Sequence, residues 1–211
     1  MLFSGLPFLY YFFPAVLVCY FAAPRKLKNA VLFVFSLIFY GWGEPRYIAL
    51  MIVSIFSGFV FALMIEKKQN KKIGFILMWI SVAVSLSFLL IFKYADFLIE
   101  NVNQLPGVSL PLSKLSLPIG ISFYTFQIIS YTVDVWRGDT KAQRNIISFG
   151  TYVSLFPQLI AGPIVRYTDI ERELQERKHS VTLAASGIQR FLIGLSKKVL
   201  IANVLGELTD I

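Results

Sequence analysis

Two sets of residues in this chain have the types and spacing to handle a charged group inside an apolar environment. Gln127, Tyr131, Asp134 and Arg137 recur every three or four positions, so a helix places them on one face. Asp134 and Arg137, three apart, are close enough on that helix to pair. The pair either ends the span as an ordinary ion pair or meets the charged head group of a donor, and the face above it either packs helices or lines a cavity. The second set is Gln158, Gly162, Pro163 and Arg166. Pro157 and Pro163 remove backbone donors, Gly162 admits a close neighbour, and Arg166 offers a planar guanidinium that binds phosphate or carboxylate bidentately. A kinked helix with an interfacial arginine is the plainer account of the same residues.

The elements that must position these residues are apolar runs. The sequence is 56% hydrophobic and 15% charged, against roughly 25% charged in ordinary soluble domains. This predicts an all-α polytopic integral membrane protein: transmembrane helices plus a re-entrant segment and interfacial amphipathic helices. The net charge of +8 comes from bases clustered in short loops between the runs, so topology explains it and nucleic acid is not an expected partner. No basic segment precedes the first run, which is too long for a signal peptide core and is expected to remain as a span. Residues 1–92 divide into four spans, at about 1–23, 29–43, 47–65 and 73–92, the fourth with Ser81, Ser85 and Ser87 as helix-contact candidates. Residues 93–114 predict an interfacial helix with Phe97, Leu98, Val102 and Leu105 on its apolar side. Residues 115–137 form a fifth span.

Arg25, Lys26 and Lys28 follow the first run and Lys67, Lys68, Lys71 and Lys72 the third, whereas Arg46 alone marks the turn after the second. The positive-inside rule therefore puts the amino terminus outside and the basic loops in the cytoplasm. Residues 145–166 either cross or dip and return. The breakers at Pro157 and Gly162-Pro163 and the bases beyond them favour the re-entrant form. Broken backbone and polar side chains at membrane depth survive where protein or a water-filled cavity solvates them. Thr168 to Glu171 has capping-box spacing, predicting a short charged helix over 169–178 with Ile170 and Leu174 on its apolar side. A longer amphipathic helix follows, giving cytoplasmic-side helices over about 168–205. Its apolar residues are Ile188, Phe191, Leu192, Leu195 and Val199, with Arg190, Lys197 and Lys198 off the stripe.

LPIGISFYTFQIISYTVDVWRG followed by FPQLIAGPIVRY resembles the membrane-bound O-acyltransferase (MBOAT) family. The likeness is to its bacterial branch of alginate and peptidoglycan O-acetylation and teichoic-acid D-alanyl transfer. It covers the chain as the amino-terminal part of a single membrane-embedded domain. The resemblance implies transfer of an acyl group, acetyl above all, from a cytoplasmic thioester to hydroxyls of an extracytoplasmic polysaccharide or cell-wall polymer. The donor would be a coenzyme A thioester or an acyl-carrier protein. The implied location is the bacterial cytoplasmic membrane, and the implied partners are the bilayer, the donor and extracytoplasmic polysaccharide-modifying proteins. It also places Gln158, Gly162, Pro163 and Arg166 beside the passage for donor and acceptor, and makes Gln127, Tyr131, Asp134 and Arg137 candidate lining.

Such a transfer needs a base near neutral pKa at the acceptor. In the family that histidine lies on an apolar helix beyond the position equivalent to Ile211. His179, the single histidine, sits in a charged loop and has the wrong context. No P-loop, dinucleotide fingerprint, HExxH or Ser-His-Asp set is present, so no metal or bound cofactor is expected. Cys19, the single cysteine, excludes an internal disulfide and reads as a buried small hydrophobe. The chain reads as cut short at Ile211. The rival class is a transporter, flippase or envelope scaffold, since transporters also break helices at the midplane, but no inverted repeat is visible within these residues. Expressed alone in a strain lacking the parent gene, these 211 residues are expected not to restore polymer acetylation, measured as alkali-released acetate.

Overall fold

The computed structural model describes residues 3–68, 71–104, 109–112, 116–159, 162–177 and 179–209, and among these it is helical with no strands. The elements are α1 (Phe8–Ala22), α2 (Lys28–Gly43), α3 (Ile48–Lys67), α4 (Lys71–Val102), α5 (Ile121–Arg137), α6 (Ile146–Ser154), α7 (Phe156–Leu159), α8 (Tyr167–Gln175), α9 (Val181–Ser196) and α10 (Asn203–Thr209). Two helical stretches, Pro45–Lys67 and α4, are long and apolar enough to cross a bilayer. α2 and α5, with 16 and 17 residues, reach about 25 Å and so fall a little short of the roughly 30 Å hydrocarbon core. α1 starts at Phe8 and opens with a widened turn, Phe8–Phe12, just before Pro14, which has no amide hydrogen for the preceding turn.

The helix ends sort onto two ends of the bundle. At one, Asn29 Nδ2 donates to Ser148 Oγ (2.8 Å) and to the Leu174 carbonyl (3.1 Å). There too Glu66 accepts from the Ala142 amide (3.1 Å) and pairs with Arg144, while Gly74 of α4 lies against Trp136 of α5. At the other end the Tyr47 hydroxyl donates to the Ser116 carbonyl (2.8 Å), with its ring edge-on to Phe92 (5.5 Å). The bases follow this division. The segments carrying Arg25, Lys26, Lys28, Lys67, Lys68, Arg137, Lys141 and Arg144 all belong to the first end; Arg46 belongs to the second.

The expected interfacial helix after residue 92 is instead a direct continuation of α4, which runs unbroken for 32 residues. No glycine or proline stands between Phe92 and Val102, so nothing stops the helix where the apolar run ends. Phe92 is level with Tyr47, so the last ten residues stand about 15 Å beyond the bundle. Asn103 then turns the chain, its side chain bonding both the amide and the carbonyl of Leu110 (2.7 and 2.9 Å). Leu105 lies outside the described residues. Two further expectations need correction: Cys19 is exposed on α1, and Ser87 faces outward while Ser81 and Ser85 are buried. α1 packs against α2 and, through Phe12 and Phe13, against Phe156 and Phe191, and Cys19 lies on its exposed face.

Packing between helices relies on small residues that let side chains interlock. A Cβ on Gly58 of α3 would stand 2.6 Å from Ile128 of α5, and one on Gly150 of α6 would stand 2.7 Å from the Phe33 ring of α2. One apolar cluster joins α2 to α6 and α8; a second, rich in phenylalanine, joins α1, α2 and α7 through Phe8, Phe12, Phe39 and Phe156. Gly150→Leu should lower the thermal midpoint in detergent, as overpacking of about 1–3 kcal/mol would. Gly187→Leu, where a Cβ meets nothing within 4 Å, should leave it unchanged.

Candidate functional site

The site is built on α5. Gly120 (φ +76°) and Gly138 (φ +86°) bracket the helix in left-handed conformations that glycine adopts without strain. Between them Tyr124, Gln127, Tyr131 and Asp134 are all buried, so the helical spacing does bring the polar stripe to one inward face. Arg137, one turn beyond, is exposed.

Asp134 does not pair with Arg137. Its partner is Arg166, whose Nε donates to Oδ2 (3.2 Å) and whose Nη2 donates to Oδ1. The reason is position: Asp134 faces the bundle, whereas Arg137 has turned toward its surface. The Asp134 side chain is 3% exposed and that of Arg166 is 49% exposed, so the clasp joins a buried anion to a half-open cation. The carboxylate hydrogen bonds favour the charged guanidinium and raise its pKa further above the ordinary arginine value.

Arg166 reaches Asp134 because the chain folds back. α6 starts beside the loop that follows α5, with Asn145 capping it by accepting from the Ile147 and Ser148 amides (2.8 and 3.2 Å). It climbs antiparallel to α5 until Leu155 leaves helical geometry (ψ 113°). At the top of α7, the Leu159 carbonyl would lie 2.7 Å from a Cβ on Gly120, so that residue must be glycine. Arg166, seven residues on, reaches the opposite end, where it clasps Asp134. Leu159 and Arg166 thus meet opposite ends of α5.

The break at Leu155 explains Gln158. The Tyr152 carbonyl would ordinarily accept from the Phe156 amide, but that amide donates to Ser36 Oγ (3.3 Å). Gln158 Nε2 takes its place at Tyr152 (2.8 Å). Gly162 has φ +124° and open space where a Cβ would stand, so conformation and not a close neighbour calls for glycine there. Pro163 is exposed next to it. Arg166 also begins α8: the Asp169 carboxylate accepts from its amide (3.3 Å), so the helix starts two residues before the expected Thr168 cap. Glu171, expected in that cap, accepts from the Thr140 hydroxyl (3.0 Å) instead. Ile170 and Leu174 pack inward as their spacing predicts.

Three tyrosines hold this return. Tyr131 and Tyr167 pack edge to face (4.9 Å), as do Tyr152 and Tyr167 (5.3 Å). The Tyr152 hydroxyl donates to the Val165 carbonyl (3.0 Å). Gln143 donates to both others, through its amide to Tyr131 (2.7 Å) and through Nε2 to Tyr167 (2.8 Å). Burial pushes the Tyr167 hydroxyl up to about 12, although the Gln143 bond pulls it part of the way down.

Higher on α5 the polar stripe is unsatisfied. Tyr124 Oη, Gln127 Oε1 and, across on α2, Tyr40 Oη are buried with no hydrogen-bond partner. The Tyr40 and Tyr124 side chains lie close to one another across the interface between α2 and α5. Tyr124 is one of the hydroxyls that mark its apolar run in the sequence and shares the spacing of Gln127 and Tyr131, whereas the sequence did not single out Tyr40. Among the described residues no group of three or more His, Cys, Asp or Glu could hold a metal ion. His179 lies away from α5, exposed beside Tyr20.

Substitution Arg166→Ala strands the Asp134 carboxylate in an apolar interior and should lower the thermal midpoint sharply. The neutral pair Asp134→Asn with Arg166→Gln should lower it less, because no buried charge is left alone.

No protein-family model matches the chain, and no solved structure matches it. Named proteins do. The probable alginate O-acetylase AlgI of Pseudomonas aeruginosa is 37% identical over 218 residues, covering all of this chain and 41% of that protein. Its counterpart from Azotobacter vinelandii is 36% identical, covering all of this chain and 43% of that protein. The peptidoglycan O-acetyltransferase of Helicobacter pylori is 28% identical, again over all of this chain and 46% of its own length. The chain thus spans less than half the length of the curated relatives it matches. Those relatives are O-acetyltransferases by name, and the apolar helices described above fit a membrane protein.

Proposed function

Homology to these named O-acetyltransferases runs the whole length of the chain, and from that premise we propose that it forms part of a membrane-bound O-acyltransferase acting on an envelope polysaccharide. The observation that carries the reading, beside the homology, is the α5 stripe: a charge clasp at its lower end and three partnerless polar atoms above it. In lipid each unsatisfied polar group costs several kcal/mol, so such a stripe is best supported where water or substrate visits it.

The proposed reaction moves an acyl group, acetyl first, from a thioester to a polymer hydroxyl. The C–S bond breaks, a C–O bond forms, and the hydroxyl proton passes through a base to the leaving thiolate. The family resemblance assigns that role to a histidine on an apolar helix, a context that His179 does not have. Within the described residues the roles are positional. Arg166, half exposed while clasped, is suited to a phosphate or carboxylate of the donor. Gln127 and Tyr131 line the passage. The hairpin from Asn145 to Arg166 is the re-entrant wall of that passage, entering and leaving at the basic end. By the positive-inside rule that end is cytoplasmic, in a bacterial inner membrane, with the amino terminus outside. Extracytoplasmic polysaccharide-modifying proteins would act on the far side.

Single cysteines at Gln127, Tyr131, Gln158 and Gly162 in the parent protein, with Cys19 replaced, test the passage. Water-soluble maleimides should modify at least Gly162 and Gln158, and acetyl transfer to polymer should fall in step with labelling. If no position reacts from either side, the passage does not exist.

A further inference from the structure

A second concave place forms where the segment after α1 meets the segment after α8. A cavity of about 690 Å³ there is lined by Arg25, Lys28, Arg177 and His179, with Glu176 as the acid among them. Tyr20 organises the bases. Lys28 Nζ stands 4.5 Å from its ring centroid and the Arg177 guanidinium 5.6 Å from the same point. Its hydroxyl is 3.3 Å from His179 Nε2, to which Lys28 Nζ also comes within 3.4 Å. Three permanent cations and an imidazole therefore share one cavity with a single carboxylate. That excess of positive charge favours an anion between them.

His179 and Ser180 also line a second cavity, of about 1010 Å³, whose other walls are apolar. Phe13, Leu17 and Phe21 of α1 form one side, and Ala184, Gly187 and Ile188 of α9 the other. From Phe21 to Phe13 the groove follows α1 for about 12 Å, away from the basic end of the bundle. A basic chamber that opens into a hydrocarbon-lined groove along a membrane helix has the shape and polarity of one class of ligand, an amphiphile with an anionic head. Basic pockets between membrane helices bind anionic lipid head groups in this way. We infer that this is a binding site for an anionic phospholipid. Its phosphate lies among Arg25, Lys28 and Arg177, and one acyl chain lies along α1 between Leu17 and Ile188. A free phosphate ester would leave the groove without a role. The site needs the membrane placement of α1 but no part of the transfer reaction, so either reading can fail without the other.

The full chain reconstituted in nanodiscs of equal phosphatidylglycerol and phosphatidylcholine, then released gently for native mass spectrometry, reports the lipid retained. Phosphatidylglycerol should be enriched in the wild type. Retention should drop about fivefold in Lys28→Gln or Arg177→Gln and about 25-fold in the double variant. Gly187→Phe, which points into open space and should leave the fold intact, should block the groove and reduce retention while elution remains monodisperse. Equal retention of the two lipids would overturn the assignment, as would unchanged retention in both the double variant and Gly187→Phe. Displacement by sn-glycerol 3-phosphate as effective as that by phosphatidylglycerol would overturn it too, because the head alone would then account for binding.

Discussion

A carboxylate in an apolar helix bundle needs a cation, and here the demand is met from far along the chain. Asp134 is nearly inaccessible on α5, and the guanidinium that satisfies it stands 32 residues later. To deliver Arg166, the intervening chain climbs, breaks at Leu155, and comes back to the level from which it began. The break has its own local compensation: Ser36 and Gln158 satisfy the two ends of the one hydrogen bond, Phe156 amide to Tyr152 carbonyl, that a continuous helix would have made. Tyr131, Tyr152 and Tyr167 then fix the descending residues through rings and hydroxyls. Without the ionic partner, this segment would keep the Tyr152–Val165 hydrogen bond but lose the contact that seats Arg166 on α5.

The helical order was largely legible, because apolar runs bounded by charge mark helices that sit in lipid. α2 and α3 fall within a residue or two of their expected limits, and the stripe on α5 faces inward as its spacing requires. The misreadings share a cause. Charge at Lys93 ends an apolar run but not a helix, since lysine is a good helix former, and so α4 ran on. Likewise Thr168 has a capping hydroxyl, but the residue that must leave helical geometry is Arg166, held by Asp134. Local patterns describe what a segment can do; long-range contacts choose among the options.

The candidate site divides in the same way. Gln127, Tyr131, Asp134 and Arg166 could be picked out by type, and the structure assembles them along α5 with its partner segment. Asp134 was matched with the wrong arginine because i,i+3 spacing is visible in sequence and a contact across the fold is not. Gln158 and Gly162 turn out to have structural reasons of their own, a replacement hydrogen bond and a positive φ. Tyr40 was beyond reach, since its interest lies in facing Tyr124 across a helix interface.

The concentration of bases at one end of the bundle has an electrical consequence. In the orientation proposed here, the voltage of an energised bacterium, negative within, pulls each lysine and arginine of that end toward the compartment it already occupies. Moving one such charge across would cost about 2.3 kcal/mol per 100 mV. The same field bears on the Asp134–Arg166 clasp far less, because its two opposite charges move together as a dipole. In that orientation a membrane potential would help to hold the fold's polarity while leaving its central ion pair almost undisturbed.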